Sequence, residues 1–92
     1  MDGIGVLRYT LLLTEDFEKQ FQKLDRSVQD IIVKWIKKHL NDCEDPRAFG
    51  KGLSANLKGY WQYRIGDYRL LVDIRDDELI IVAISVAHRR EV

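Results

Sequence analysis

Two arginines, Arg64 and Arg69, are the residues of this 92-residue sequence whose placement points most directly to chemistry. They lie in the runs 60–65 and 68–75, which are rich in β-branched and aromatic residues. The Gly66-Asp67 dipeptide between the runs is typical of a two-residue hairpin turn. Because a hairpin closed by that dipeptide has a defined register, Arg64 is predicted to lie directly opposite Arg69 on the neighbouring strand.

Like charges that face each other across an antiparallel ladder destabilise it by up to about 1 kcal/mol, so stability alone does not select this pair. Two explanations stay open. Either a nearby carboxylate, Asp67 or Asp73, neutralises the pair, or the two guanidinium groups are kept together in order to bind an anion.

A second candidate group stands near the end of the chain, in His88-Arg89-Arg90. Histidine is the side chain that changes charge near neutral pH, which suits a general acid or base. His39 lies beside lysines on a predicted helix and is interpreted as structural, and Cys43 lies among acidic residues that disfavour a thiolate. The sequence contains no metal-ligand cluster, glycine-rich phosphate loop or Cys-His nucleophile pair, so no cofactor is predicted.

The distribution of charge narrows the class of partner. Fifteen basic residues balance fifteen acidic ones and the pI is about 6.7, so no overall positive field draws the protein to nucleic acid or to a membrane. Single-stranded RNA is bound by cations interleaved with aromatic rings, which supply phosphate contacts and stacking platforms. Between residues 47 and 69, five basic residues stand against Asp67 alone: Arg47, Lys51, Lys58, Arg64 and Arg69.

The predicted register also divides the hairpin residues between two faces. The apolar face, which is predicted to pack on the helices, carries Trp61, Tyr63, Ile65, Tyr68, Leu70, Val72 and Ile74. The other face carries Tyr60, Gln62, Arg64, Arg69, Leu71, Asp73 and Arg75. Tyr60 is therefore the aromatic residue predicted to stack on a base.

Periodicity and turn residues predict the elements that hold these groups. Residues 6–13 form a strand that ends at Thr14, which caps a short amphipathic helix. A second helix begins at a capping box made by Ser27 and Asp30. After the hairpin, residues 78–86 form an apolar strand whose facing the periodicity does not decide.

These elements predict an α+β fold in a single domain, residues 1–92. An N-terminal strand and a two-helix antiparallel hairpin precede an antiparallel three-stranded meander, and the helices pack on one face of the sheet. No stretch is long and apolar enough to span a membrane, and the N-terminus has no secretion signal, so a cytoplasmic location is predicted.

The order of elements and two strings of residues resemble the RelE/ParE superfamily of bacterial toxins, on the RelE side. The first string is Gly59-Tyr60-Trp61-Gln62-Tyr63-Arg64-Ile65-Gly66-Asp67-Tyr68-Arg69, and the second is Ala87-His88-Arg89-Arg90-Glu91-Val92. With the Asp45-Pro46-Arg47 loop and Gly50-Lys51-Gly52-Leu53 before the sheet, the resemblance covers almost the whole chain.

The resemblance implies the toxin of a type II toxin-antitoxin system, a ribosome-dependent endoribonuclease that cuts mRNA by attack of a 2′-OH on the adjacent phosphate. It implies no metal, and a cognate antitoxin as partner, with a toxin-antitoxin heterotetramer among the assemblies allowed. By motif, Arg69 corresponds to the arginine beside the scissile phosphate, Arg89 to a second catalytic arginine, and His88 to a catalytic acid or base. The candidates for RNA or phosphate binding are Arg64, Lys51, Lys58, Tyr60 and Arg90.

The sequence also departs from the RelE prototype. Trp61 and Tyr63 stand on the strand where the prototype carries two lysines, and no tyrosine follows the Arg-Glu-Val string. Lys51 or Lys58 replaces those lysines only if the loop brings it to the sheet. Two alternatives to RNA cleavage therefore stay open: a ParE-like toxin that acts on DNA gyrase through protein contacts, and a catalytically silent antitoxin-binding domain.

Overall fold

The fold is a five-stranded sheet with two helices packed on one face. The computed structural model describes residues 7–54, 56 and 59–91. Along the chain the elements are β1 (Thr10–Leu13), α1 (Glu15–Gln22), α2 (Arg26–His39), β2 (Lys51–Gly52), β3 (Trp61–Ile65), β4 (Tyr68–Arg75), β5 (Ile80–His88) and a 3-10 helical turn (Arg89–Glu91).

The strand order is β1-β5-β4-β3-β2, with β1 parallel to β5 and the other neighbours antiparallel. The predicted α+β class is confirmed. The sheet is wider than the predicted meander because β1 and the short β2 join its two edges. Within the described residues, no helix is long and apolar enough to cross a membrane.

The β3–β4 hairpin has the register predicted from its turn. Ile65 pairs with Tyr68, so Arg64 lies opposite Arg69. Gly66 has a φ of 58°, a left-handed conformation that glycine adopts without strain and that a two-residue hairpin requires at this position.

The side of the sheet that faces the helices holds the core. The helices contribute Phe17 and Ile32 to it, and Trp35 packs on Tyr63 with ring centroids 5.3 Å apart. The Tyr63 hydroxyl donates a 2.6 Å hydrogen bond to the carbonyl of Pro46, and burial of Tyr63 raises its pKa. The most deeply buried residues of the sheet are Tyr63, Ile65, Leu70, Val72, Ile81, Ala83 and Val86.

A bulge interrupts the pairing of β4 with β5. Leu71 and Val72 are consecutive on β4, but their partners on β5 are Ser85 and Ala83. Ile84 is therefore an extra residue on β5.

The bulge decides which side chains of the last strand face the helices. Ala83 before it and Val86 after it are both buried, so the alternation of faces has shifted by one residue. His88 lies two residues beyond Val86 and falls on the helix side, whereas Ala87 pairs with Arg69 on the opposite side.

The Thr14 hydroxyl contacts both the β5 bulge and the start of the first helix. Its hydroxyl accepts a hydrogen bond from the backbone N–H of Phe17 at 3.1 Å, which confirms the predicted N-cap. The same hydroxyl lies 2.9 Å from the carbonyl oxygen of Ala83 and 3.2 Å from that of Ile84, the two acceptors at the bulge.

The second helix begins differently from the prediction, and the capping box at Ser27 and Asp30 is wrong. The N-cap is Asp25, and Asp30 instead lies 3.7 Å from the guanidinium of Arg26 in an i,i+4 ion pair. Gln29 connects the two helices, because its side-chain amide donates to the carbonyl oxygens of Phe21 at 2.9 Å and Leu24 at 3.2 Å.

Two strand boundaries also differ from the prediction. Within the described residues, β1 is shorter than 6–13 because it pairs with β5 only from Thr10 onward. β5 starts and ends two residues later than 78–86, because residues 76–79 form a longer turn in which Leu79 has a φ of 54°. That shift brings His88 into the ladder.

Asp76 joins three parts of the chain at the end of the sheet away from the hairpin turn. One of its carboxylate oxygens accepts from the Tyr9 hydroxyl at 2.6 Å and from the Arg47 guanidinium at 2.9 Å. These hydrogen bonds, that of Arg47 first, lower the pKa of Asp76.

Replacing Thr14 with valine should lower the free energy of unfolding by about 0.5–2 kcal/mol, the usual cost of losing an N-cap oxygen. Urea unfolding followed by circular dichroism measures this difference. Thr10→Val removes an exposed hydroxyl from β1 and should change stability by less than about 0.5 kcal/mol. Equal effects of the two substitutions would contradict the role given to Thr14.

The lowered pKa of Asp76 predicts a loss of stability in acid. A carboxyl whose pKa is lower in the folded chain than in the unfolded one stabilises the fold above its unfolded pKa, about 3.9, and this contribution is lost as the pH falls through the folded value. Asp76→Asn should therefore flatten the decline in unfolding free energy below about pH 4. Asp77→Asn, which changes the next carboxyl of the same turn, is the control.

Candidate functional site

The arginine pair, Arg64 and Arg69, lies on the open face of the sheet, the side opposite the helices. The open face also carries Lys51, Gln62, Leu71, Asp73 and Ala87 by register. Arg64 is exposed and Arg69 is half-buried. The Nε of Arg69 is itself buried and has no hydrogen-bond partner among the described residues. An unpaired buried donor of a cationic group is costly.

The two carboxylates considered as neutralising partners of the pair, Asp67 and Asp73, contact other arginines. Asp73 accepts from the Nε of Arg75 at 3.1 Å, and Asp67 lies 3.9 Å from the Nε of Arg89. In the part of the chain that the structure describes, neither forms an ion pair with the arginine pair. The geometry therefore argues against neutralisation of the opposed arginines by these two carboxylates.

The C-terminal turn brings Arg89 to the same end of the sheet. Its backbone N–H donates to the carbonyl of Asp67 at 2.8 Å, next to the ion pair between the two side chains. Arg69 pairs with Ala87, two residues before Arg89, so the turn follows directly from the strand beside the arginine pair. Arg90 is exposed in the same turn.

His88 does not join this group, although it was predicted to act with Arg69 and Arg89. Because of the β5 bulge its ring lies on the helix side of the sheet, edge-on to Tyr68 with centroids 5.2 Å apart. Its Nδ1 accepts a 3.2 Å hydrogen bond from the backbone N–H of Arg90. The ring thus supports the C-terminal turn from the face opposite the arginine pair.

The loop before the hairpin does bring Lys51 to the sheet. Lys51 pairs with Gln62 across the β2–β3 ladder, and both residues line an open pocket of 290 Å³ with Gly50 and Arg64. Lys58, the other lysine considered for this role, lies outside the described residues.

The open side of β3 carries Gln62 and Arg64, while Trp61 and Tyr63 face the helices. The two aromatic residues are therefore not the positions from which β3 reaches a ligand on the open face. Gln62 was missed as a site residue, although the alternation of faces in the sequence already placed it beside Arg64. Tyr60 is half-buried just before β3, where its carbonyl accepts from the N–H of Leu53 at 3.1 Å.

The groups interpreted as structural have structural contacts. The His39 ring packs against the rings of Trp35 and Phe49, with centroid distances of 4.5 and 4.7 Å, and its Nδ1 is 3.0 Å from the carbonyl of Trp35. Burial raises the pKa of the Cys43 thiol, which disfavours the reactive thiolate. No cluster of three or more potential metal ligands occurs in the described residues.

Comparison with known proteins identifies the family. A sequence model of the ParE toxin of type II toxin-antitoxin systems (parDE) matches residues 11–92. The chain belongs to this toxin family. The predicted membership of the RelE/ParE superfamily is therefore confirmed.

Individual relatives of the toxin carry RelE-type names. It is 30% identical over 84 residues to toxin RelG of Mycobacterium tuberculosis, covering 91% of this chain and 94% of RelG. The crystal structure of the M. tuberculosis toxin-antitoxin complex RelBE2 matches with a TM-score of 0.79 and 29% identity, covering 92% of this chain and 95% of that one. The isolated Escherichia coli RelE toxin matches with a TM-score of 0.68 and 25% identity, over 87% and 83% of the two chains.

The opposition of Arg64 and Arg69 predicts that Arg64 lowers the stability of the toxin. Arg64→Gln should raise the free energy of unfolding by up to about 1 kcal/mol, because it removes the repulsion between opposed like charges. The gain should shrink as salt is added, since ions screen exposed charges. Urea unfolding at low and high ionic strength measures both effects.

Arg75→Gln is the matched control, because Arg75 lies on the same face but pairs with Asp73 and with Glu78. It should not stabilise the fold. A loss of stability in Arg64→Gln at low salt would show that Arg64 is already neutralised.

Proposed function

We propose that the toxin is an endoribonuclease that cleaves mRNA on the ribosome and that the arginine pair binds the phosphate being cleaved. The observation that carries the proposal is the pair itself. Two guanidinium groups are opposed on the open face, their neighbouring carboxylates bind other arginines, and the buried Nε of Arg69 lacks an acceptor among the described residues. A phosphodiester would supply the missing negative charge, which the two guanidinium groups would share.

The proposed reaction needs a group that takes the proton of the 2′-OH, a group that gives a proton to the 5′-oxygen, and positive charge at the phosphate. The 2′-oxygen of one nucleotide bonds to the adjacent phosphorus as it loses its proton, and the bond from phosphorus to the 5′-oxygen breaks as that oxygen gains one. Negative charge grows on the non-bridging oxygens in between. Arg69 and Arg64 donate to those oxygens, and fixed donors aimed at developing charge are a large source of catalysis.

Arg89 is proposed as the third cation of the site. Asp67 holds it at the hairpin end of the sheet through a backbone and a side-chain contact. His88 supports the turn that carries Arg89 and Arg90, and the proposal assigns it this positioning role. Arg90, exposed in that turn, is proposed to contact the RNA backbone.

The balanced net charge fits a ribosome-dependent enzyme. Fifteen basic and fifteen acidic residues leave the protein with little attraction for RNA in general. A toxin of this kind depends on the ribosome to present the message, so its few cations need only act locally.

A cognate antitoxin is the proposed regulatory partner. The related RelBE2 toxin was solved as a toxin-antitoxin complex, and it matches 92% of this chain. The cationic open face of this toxin would attract an acidic or amphipathic segment of such a protein.

A ParE-like action on DNA gyrase is the second candidate, because the matching family is the ParE toxin of parDE systems. In that case the toxin would inhibit supercoiling by gyrase and leave mRNA intact. A supercoiling assay and an RNA cleavage assay on the same protein preparation separate the two functions.

Mapping of mRNA ends on translating ribosomes tests the proposed cleavage. The wild-type toxin should cut the message, and Arg69→Ala should cut it about 10²–10³-fold more slowly, the usual cost of losing one donor to a developing oxyanion. Arg75→Ala, an exposed arginine farther along the same strand and face, should cleave at the wild-type rate. Intact message at high excess of wild-type toxin would rule the proposal out.

A further inference from the structure

The pocket beside the arginine pair has a different composition from the pair itself. Gly50, Lys51, Gln62 and Arg64 line it, and Arg69 does not. Arg64 therefore belongs to two neighbouring sites on the open face. The first is the arginine pair, and the second is the pocket, which adds the ammonium of Lys51 and the carboxamide of Gln62.

The pocket is larger than a site for a single phosphate needs to be. Its volume of 290 Å³ is close to the lower limit of about 300 Å³ for pockets that hold small organic ligands. It is also open, so a nucleotide can enter it as part of a chain.

The position of the pocket wall is set by the backbone. Gly50 has a φ of 78°, and a Cβ atom at this residue would lie only 2.3 Å from the carbonyl oxygen of Gln62. Only glycine lets the loop approach β3 this closely. The close approach holds Lys51 opposite Gln62, so the two side chains rise from adjacent strands on one face.

The chemistry of the two side chains differs in a way that suits a nucleotide. A lysine ammonium offers donors only and matches the oxygens of a phosphate, while the carboxamide of glutamine has both a donor and an acceptor and matches a base edge. A pocket made for phosphate alone would gain nothing from the acceptor of Gln62.

We infer that this pocket is a subsite for the nucleotide adjacent to the cleaved phosphodiester, in which Lys51 binds the phosphate and Gln62 reads the base. The inference rests on the proposed RNA cleavage and adds to it a source of sequence preference. Gln62 is thus a specificity-determining residue, and Lys51 contributes to binding without regard to sequence.

The substitutions at the two positions should behave differently. Lys51→Ala should weaken binding of all RNA sequences alike and reduce the slope of log affinity against log salt by about 0.7. Gln62→Glu replaces the donor with acceptors only, so the preference at one nucleotide position should move toward adenine, cytosine and guanine, whose amino groups donate, and away from uracil, which has no amino group. Gln62→Leu should abolish the preference at that position.

Two measurements test the inference. The first maps cleavage sites over a pool of messages on translating ribosomes for the wild-type toxin and the Gln62 variants. The second follows the side-chain amide signals of Gln62 by NMR as a trinucleotide with 2′-O-methyl groups, which cannot be cleaved, or inorganic phosphate is added. Gln22→Glu and Lys34→Ala, which make similar changes at exposed helix positions, are the controls and should match the wild type.

The outcomes separate the subsite from the proposed activity. A shift of the Gln62 signals with the trinucleotide but not with phosphate, together with an altered preference in Gln62→Glu, is the expected result. If the trinucleotide shifts the Gln62 signals but the toxin leaves mRNA intact, the proposed cleavage would be wrong and the nucleotide site would stand. Cleavage with an unchanged preference in both Gln62 variants, or equal shifts with phosphate, would overturn the subsite and leave the cleavage standing.

Discussion

The register of the β3–β4 hairpin is the constraint on which the rest of this structure depends. Tyr63 and Leu70 form one cross-strand pair in the core, and Arg64 and Arg69 form the next pair on the open face. Because side chains alternate between faces, a slip of one residue would bury the arginines and expose the core. The hydrophobic core therefore enforces the opposition of like charges, and a ligand can use the positive potential that results without any rearrangement of the sheet.

The strand β3 contributes to the core with one face and to the candidate site with the other. On the helix side, Tyr63 and Trp61 each donate a 2.6 Å hydrogen bond to the loop before β2, at Pro46 and Phe49. Those contacts hold the loop on which Lys51 is carried to the sheet edge. Core packing on one face of β3 thus controls the position of a cation on the other.

The opposite edge of the sheet is completed by the first helix. β1 pairs with β5 only as far as Ala83, where Thr14 ends the strand and caps α1. Beyond that point the side chain of Gln20 accepts a 2.8 Å hydrogen bond from the N–H of Val86. The helix thus supplies an acceptor to a backbone donor of β5 that no longer has β1 beside it. This support lets β5 continue to the hairpin end, where the turn bearing Arg89 begins.

The sequence by itself determined the hairpin, its register and the two faces of β3 and β4. Local signals suffice there, because a glycine-containing turn and strict alternation act between neighbours in the chain. The arginine pair and the N-cap at Thr14 follow from the same short-range rules. The tertiary structure decided which face His88 occupies, because the extra residue Ile84 on β5 leaves no sign in an apolar run. It also decided that Lys51 reaches the sheet, since the approach of Gly50 to Gln62 joins residues that only the folded loop brings into contact.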